Sequence, residues 1–291
     1  TSWCSKPNVN ESLLFLEKNV MLILPIAKKA LPSVALFMPA FNEAANLVGV
    51  VTKAYEFFDG VGIEKRAVIV VDDGSTDDTA DVVESLKHTY PVEVVSHPVN
   101  AGYGRALRSG LAAALATGCE WIAYCDSDGQ FNPGDLALLL VAAHSHDVNV
   151  VLGVRAKRAD NLARRAAGRM WHGISRLVLR FDAEDVDCGF KLMHRSAVGS
   201  IVDQLQSDYA AISPELLARL YRDGQRFVEV PVPHYPRVNG TQTGLKARVV
   251  IRSFIDLYNI RQELAGAREP VRSIPERLAA MPLKVAGQDA S

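Results

Sequence analysis

The chain has 291 residues, of which 48% are apolar and 22% charged, with a mean hydropathy of +0.06. These values exclude a collagen-like, coiled-coil or mostly disordered protein and fit one large globular domain or two small ones. The longest apolar runs, 20–27 (which contains Pro25) and 136–143, fall short of the roughly 18 uninterrupted residues that a bilayer crossing needs. A formal charge of -1 supplies no global field toward nucleic acid, which is therefore not expected as a partner.

The balanced total hides a split. Residues 59–93 carry nine acids and three bases, whereas 151–180 carry eight bases and only Asp160 as an acid. The basic stretch is either a solvated helix face or a surface for something anionic. Cys4, Cys119, Cys125 and Cys188 show no C-x-x-C spacing, and no signal peptide is visible, so a reducing cytoplasmic setting is the expectation.

In chain order, 1–32 lacks clean periodicity and reads as an N-terminal appendage. Short β-rich runs then alternate with helical patterns: 34–38 and 44–58, 67–71 and 77–87, 92–96 and 104–116, 121–125 and a helix opening at Pro133, then 148–153. Strand followed by helix, repeated, predicts a mainly parallel, doubly wound α/β sheet. Beyond it come a basic helical stretch (161–180), a strand at 189–194, a helix opening at Ser213-Pro214, a strand at 226–232 and an amphipathic helix at 245–264. The expected division is a nucleotide-binding half at 33–155, an acceptor-selecting half of the same domain at 156–265 and a flexible tail at 266–291.

In an open parallel sheet, ligands bind outside the carboxyl ends of the strands. Those ends are polar here: Pro39-Ala40-Phe41-Asn42-Glu43, Asp72-Asp73-Gly74-Ser75, Asn100-Ala101-Gly102-Tyr103-Gly104-Arg105 and Asp126-Ser127-Asp128-Gly129-Gln130. Asp126 and Asp128, with Gln130 as a further oxygen donor, suit a hard cation such as Mg2+ or Mn2+ that also bridges substrate phosphates. A plain surface turn is the bland alternative for D-x-D. An EF-hand fails, because Phe131 and Ala137 stand where glycine and glutamate are needed. Gly102 and Gly104 resemble a dinucleotide fingerprint, but Leu107 occupies the third glycine's place, which argues against a dehydrogenase.

The ordered motifs "PAFNEAANL", "VVDDGSTDDT", "NAGYGRALRSGL", "CDSDGQFNP", "VLGVR", "DVDCGFKLMHR" and "VPVPHYPRVNGTQTG" resemble the family-two glycosyltransferases of GT-A fold, and most closely the branch that makes polyprenyl- or dolichyl-phosphate sugars. The resemblance implies a GT-A sheet with an acceptor-side second half and inverting, metal-dependent transfer from a UDP- or GDP-sugar. The acceptor would be a lipid phosphate, or alternatively a soluble sugar hydroxyl. Pro39, Phe41, Glu43, Val71 and Asp73 would then contact the nucleoside, with Gly102 and Arg105 in the same donor-binding set. Asp126, Ser127, Asp128 and Gln130 would hold the metal and diphosphate, Arg155 and Arg237 would bind anionic groups, and Asp185 would lie near the reacting centre with Asp128.

With a hydroxyl acceptor, Asp185 or Asp187 would act as base. Where related mannosyltransferases carry Ser-Lys, this chain has Gln242-Thr243, and Lys246 is the nearest substitute. Peripheral contact with an anionic membrane is expected from the basic residues, and self-association into a homo-oligomer stays open. A haloacid-dehalogenase-type phosphatase is a more distant reading, suggested by "CDSDGQ", although that nucleophile belongs on a first strand. A receiver-like or non-catalytic nucleotide-sugar-binding module is a further alternative.

Overall fold

The computed structural model describes residues 31–156, 162–237, 239–240 and 247–265, with short strands at Ser12–Leu16, Val20–Leu24 and Glu276–Arg277. The first two, β1 and β2, form an antiparallel pair separate from the main sheet. The rest of the expected appendage, most of the 266–291 tail, and Gln242, Thr243 and Lys246 lie outside the described residues.

Seven strands make the main sheet: β3 (Val34–Ala40), β4 (Arg66–Asp72), β5 (Val92–Ser96), β6 (Trp121–Cys125), β7 (Val150–Arg155), β8 (Phe190–His194) and β9 (Phe227–Val232). The two-residue β10 (Glu276–Arg277) extends one edge, giving the order β10-β9-β7-β8-β6-β3-β4-β5. Every neighbouring pair is parallel except those made by β8, which runs antiparallel between β6 and β7. The reversal has a consequence for the site. β8 starts at the rim where its neighbours end, with Phe190 opposite Cys125.

The continuous apolar strands follow from burial on both faces, as parallel sheets require. Leu36, Met38, Val68 and Val70 point into one core layer, under α1 (Ala44–Val61), α2 (Thr79–Leu86) and α4 (Leu136–His146). Phe37, Ile69, Val71 and Tyr124 point into the other, under α3 (Tyr103–Ala116), α6 (Arg195–Gly199) and α7 (Ile212–Arg222). Two further helices, α5 (Leu162–Leu179) and α8 (Ala247–Ala265), pack on that second side. The expected helix at Pro133 is a single tight turn over Pro133–Asp135, capped by Asn132, before α4 begins.

Candidate active site

Because β3, β4, β5, β6, β7 and β9 are mutually parallel, all their carboxyl ends reach one rim, and the turn before β8 enters there as well. The first two loops are latched together by Asn42, which adopts φ 59°, accepts at Oδ1 from the amides of Thr76 (2.8 Å) and Asp77 (3.3 Å), and donates its own amide to Ser75 Oγ. This leaves Phe41 partly exposed at the rim, with Pro39 buried beside it.

The acidic pair follows β6 directly. Asp126 donates its amide to Gly189 O (3.0 Å) and accepts at Oδ1 from the Tyr103 hydroxyl (3.0 Å). Burial first, and the neighbouring Asp128 charge second, lift the Asp126 carboxyl from its usual 3.8 to about 7. Asp128 accepts from the Gln130 amide (3.1 Å) and faces Arg237 Nη1 at 3.4 Å. Arg237 also donates to Glu43 and to Asn239 O (2.7 Å), so one guanidinium balances two acids. Burial raises the Glu43 carboxyl, while hydrogen bonds from Asn46 (2.6 Å) and Arg237 oppose that rise.

Several residues expected to touch the donor have other partners. Asp73 is buried and accepts from His97 Nδ1 (2.6 Å) and the Ala101 amide (3.0 Å) at one oxygen, and from the Gly102 amide (2.8 Å) at the other. Its carboxylate therefore shapes the third loop. The Val71 side chain is fully buried in the core and offers nothing to a ligand. Gly102, at φ 105°, and Gly104 are needed for close packing: a Cβ would lie 2.3 Å from Asp208 O at the first and 2.4 Å from Ser207 O at the second. Arg105 pairs with Asp208 (3.0 Å), as does Arg108 (3.1 Å). Ser127 Oγ donates to Pro39 O (2.7 Å), tying β3 to the loop after β6, and Gln130 Nε2 donates to Tyr235 O (3.1 Å), tying the same loop to the segment bearing Arg237.

Asp185 and Arg155 meet each other. The guanidinium donates to both carboxylate oxygens at 2.7 Å, and the Arg155 amide adds a third contact at 3.2 Å. Both groups are largely buried, whereas Asp187 is partly exposed. Below them Lys191, fully buried, donates to Val186 O (3.1 Å) and Cys188 O and lies 5.3 Å from the Tyr124 ring centroid. The Cys125 and Cys188 thiols are driven up by burial, Cys188 to about 12, and behave as small core groups. His234 packs edge-on against Phe131 (5.1 Å), Trp171 against Phe254 (5.3 Å), and His172 Nε2 lies 2.8 Å from Ala183 O.

Sequence reasoning missed Tyr103, Lys191 and His97. Lysine within the apolar run "GFKLM" was the visible signal for a buried cation. No spacing rule links Tyr103 to Asp126. Among the described residues, no group of three or more His, Cys, Asp or Glu side chains could hold a metal ion. The fit is to a cation that keeps water and phosphate oxygens beside two carboxylates, as Mg2+ and Mn2+ do. The proton affinity of Asp126, raised by burial first and by the Asp128 charge second, is what a bound cation would oppose.

An open, mainly parallel sheet gathering paired acids and guanidinium groups at its carboxyl rim is the GT-A glycosyltransferase architecture. The chain belongs to glycosyl transferase family 2, whose family model matches residues 35–202, and it is a glycosyltransferase. It is 29% identical over 212 residues to the glycosyltransferase AglD of Haloferax volcanii, an alignment covering 70% of this chain and 33% of AglD, so the chain spans about a third of that relative. It is 26% identical over 231 residues to a dolichyl-phosphate beta-glucosyltransferase of Saccharomyces cerevisiae, covering 72% of this chain and 68% of the yeast protein.

A similar fold occurs in the mannosyltransferase PcManGT from Pyrobaculum calidifontis, solved with GDP-Man and Mn2+ (TM-score 0.57, 18% identity, 83% of this chain and 67% of that one). The phosphatase reading finds no support: Asp126 follows β6 and not the first strand of the sheet, and the family is a transferase family. No helix among the described residues is long and apolar enough to cross a membrane.

Proposed function

We propose that this chain transfers a sugar, with inversion, from a UDP- or GDP-sugar to a polyprenyl or dolichyl phosphate, assisted by Mg2+ or Mn2+. The observation that carries the reading is the Asp126–Asp128 pair at the common strand rim with Arg237 opposite it. The dolichyl-phosphate glucosyltransferase relative and the GDP-Man- and Mn2+-bound neighbour supply the acceptor class and the donor class.

Asp126 and Asp128, with Gln130, would hold the divalent ion, which when bound supplies Lewis-acid stabilisation of the leaving diphosphate. Pro39 and Phe41 would flank the nucleoside, with Glu43 at its side. Arg237 is placed to exchange its acidic partners for the diphosphate, adding positive charge where negative charge grows. Asp73, Gly102, Arg105 and Ser127 would act by fixing the loops, through the contacts described above, and Val71 by packing the strand beneath them.

A lipid phosphate is already ionised near neutral pH, so transfer to it needs no strong base. This agrees with an Asp185 committed to Arg155. With a soluble hydroxyl acceptor, the second reading, a base would be required, and the partly exposed Asp187 is the better placed of the two acids. Action on a lipid implies peripheral contact with the membrane, at its cytoplasmic face.

The test is incubation of the protein with radiolabelled UDP-glucose or GDP-mannose and a polyprenyl phosphate. Label in the lipid fraction, abolished by EDTA and by Asp128→Asn, is expected. Label appearing only on soluble hydroxyl acceptors, or persisting unchanged in Asp128→Asn, would overturn the reading.

A further inference from the structure

Among the described residues, seven of the eleven large exposed apolar side chains lie on two helices, the other four being Val48, Val99, Tyr103 and Tyr235. The two helices are α5 and α8, with Met170 (61% exposed) and Leu177 (82%) on the first, and Ile251 (60%), Phe254, Ile255 and Tyr258 (63%) among those on the second. Ile251, Phe254, Ile255 and Tyr258 recur at three- and four-residue spacing, so they form one stripe. That stripe is distinct from the inward one made by Leu257, Ile260 and Leu264. The Trp171–Phe254 contact joins the two helices, so the patch runs across both. Contiguous apolar surface of this kind marks an interaction site.

Its border is basic. Arg169, Arg180 just past the end of α5, and Arg252 on α8 are exposed there, whereas Arg176 is engaged by Asp182 and Asp256 is the acid beside Arg252. A second copy docking through the same patch would bring two such arginine-bearing borders together, a like-charge cost that an anionic partner does not meet. An anionic lipid surface meets both features at once, taking aromatic and aliphatic side chains into the headgroup boundary and arginines onto lipid phosphates. The patch is also tied to the acceptor side of the site. His172 on α5 contacts Ala183 O (2.8 Å), and Arg176 pairs with Asp182, in the loop that continues to Asp185 and Asp187.

We infer that the outward face of α5 and α8 docks the enzyme onto an anionic bilayer, with the loop carrying Asp185 and Asp187 beside the lipid surface. The choice of a bilayer rests on the proposed lipid-phosphate acceptor, but the docking can be tested without it.

The chain is floated with vesicles of phosphatidylcholine alone and with 30% phosphatidylglycerol, without donor. Flotation of the parent chain with the anionic vesicles at low salt is expected, falling at least tenfold at low salt in Leu177→Glu/Ile255→Glu and in Arg169→Glu/Arg252→Glu, and falling for the parent chain at high salt. Transfer to a water-soluble short-chain prenyl phosphate should be unchanged in Leu177→Glu/Ile255→Glu, which shows that the variant is folded. Protein remaining in solution with anionic vesicles overturns the inference, as does a concentration-dependent dimer that the same variant dissolves. Flotation without transfer to any prenyl phosphate supports the docking face and overturns the acceptor assignment, so the two can fail separately.

Discussion

A Cβ placed on Gly189 would lie 1.9 Å from Asp126 Oδ2 and 2.6 Å from Oδ1. The glycine that opens β8 therefore leaves the space in which the acidic side chain sits, and the antiparallel insertion of β8 puts it there. Gly189→Ala should expel the carboxylate from its position while leaving the sheet intact, because Gly189 itself precedes the paired residues of β8. A displacement of about 1 Å at a reacting centre can cost on the order of 100-fold in rate. A comparable loss in kcat/KM is expected, with weakened Mn2+ binding in calorimetry and a far-ultraviolet spectrum like the parent's. Full Mn2+ affinity in this variant would remove Asp126 from the metal site.

If Asp126 is a metal ligand as proposed, a proton and the metal ion compete for it. Its carboxyl titrates near 3.8 when unfolded and at about 7 in the fold, so the folded protein holds the proton more tightly. The stabilisation this gives is present at low pH and is lost as pH rises through about 7. A divalent ion needs the ionised form and gains over the same interval. The rise in melting temperature produced by Mn2+ should be small at pH 5.5, grow through pH 7 and level off by pH 8.5. A rise independent of pH would exclude Asp126 as a ligand.

Asp185 and Asp187 should separate by phenotype. Removing one partner of a buried ion pair strands the other, typically at a cost of about 3–5 kcal/mol. Asp185→Asn, which leaves Arg155 without its bidentate partner, should lower the melting temperature by several degrees and lose activity with it. Asp187→Asn, at a partly exposed position, should fold normally. If the acceptor is a phosphate, its transfer rate should keep a flat pH profile above neutrality. A new dependence on pH, appearing only with hydroxyl acceptors, would identify Asp187 as a base.

The strand-end loops were legible because each follows an apolar run buried on both faces, and such runs announce themselves in any sequence. β6 (121–125) and β5 (92–96) fall where the pattern puts them. The direction of β8 was not legible, since strand periodicity carries no sign, and yet that direction brings Gly189 to Asp126. The acids at 126 and 128 could be found from their spacing. The partners of Asp73 could not, because burial with three internal donors depends on how the third loop folds back. Gly102 and Gly104 resemble part of a dinucleotide fingerprint for a related reason: close backbone approach demands glycine whether the neighbour is a ligand or, as here, residues 207–209.

Lys191 offers the sharpest separation of support from chemistry. Its ammonium, fully buried, holds the carbonyls of Val186 and Cys188, and so the turn from Asp185 to Gly189, while its charge helps to hold the Asp126 carboxyl down. Lys191→Met keeps most of the volume and the contact with the Tyr124 ring but leaves two buried carbonyls unpaired, at a cost of roughly 1–3 kcal/mol each, offset in part by no longer burying a charge. A lower melting temperature is expected but would also follow from any core substitution. The distinguishing measurement is the pH at which Mn2+ stabilisation reaches half its maximum. Loss of the buried cation removes one of the groups that favour ionised Asp126, so this midpoint should move to higher pH in Lys191→Met. An unmoved midpoint would reduce Lys191 to a packing role and leave Tyr103 and Arg155 as the groups that counter the charge of the acidic pair.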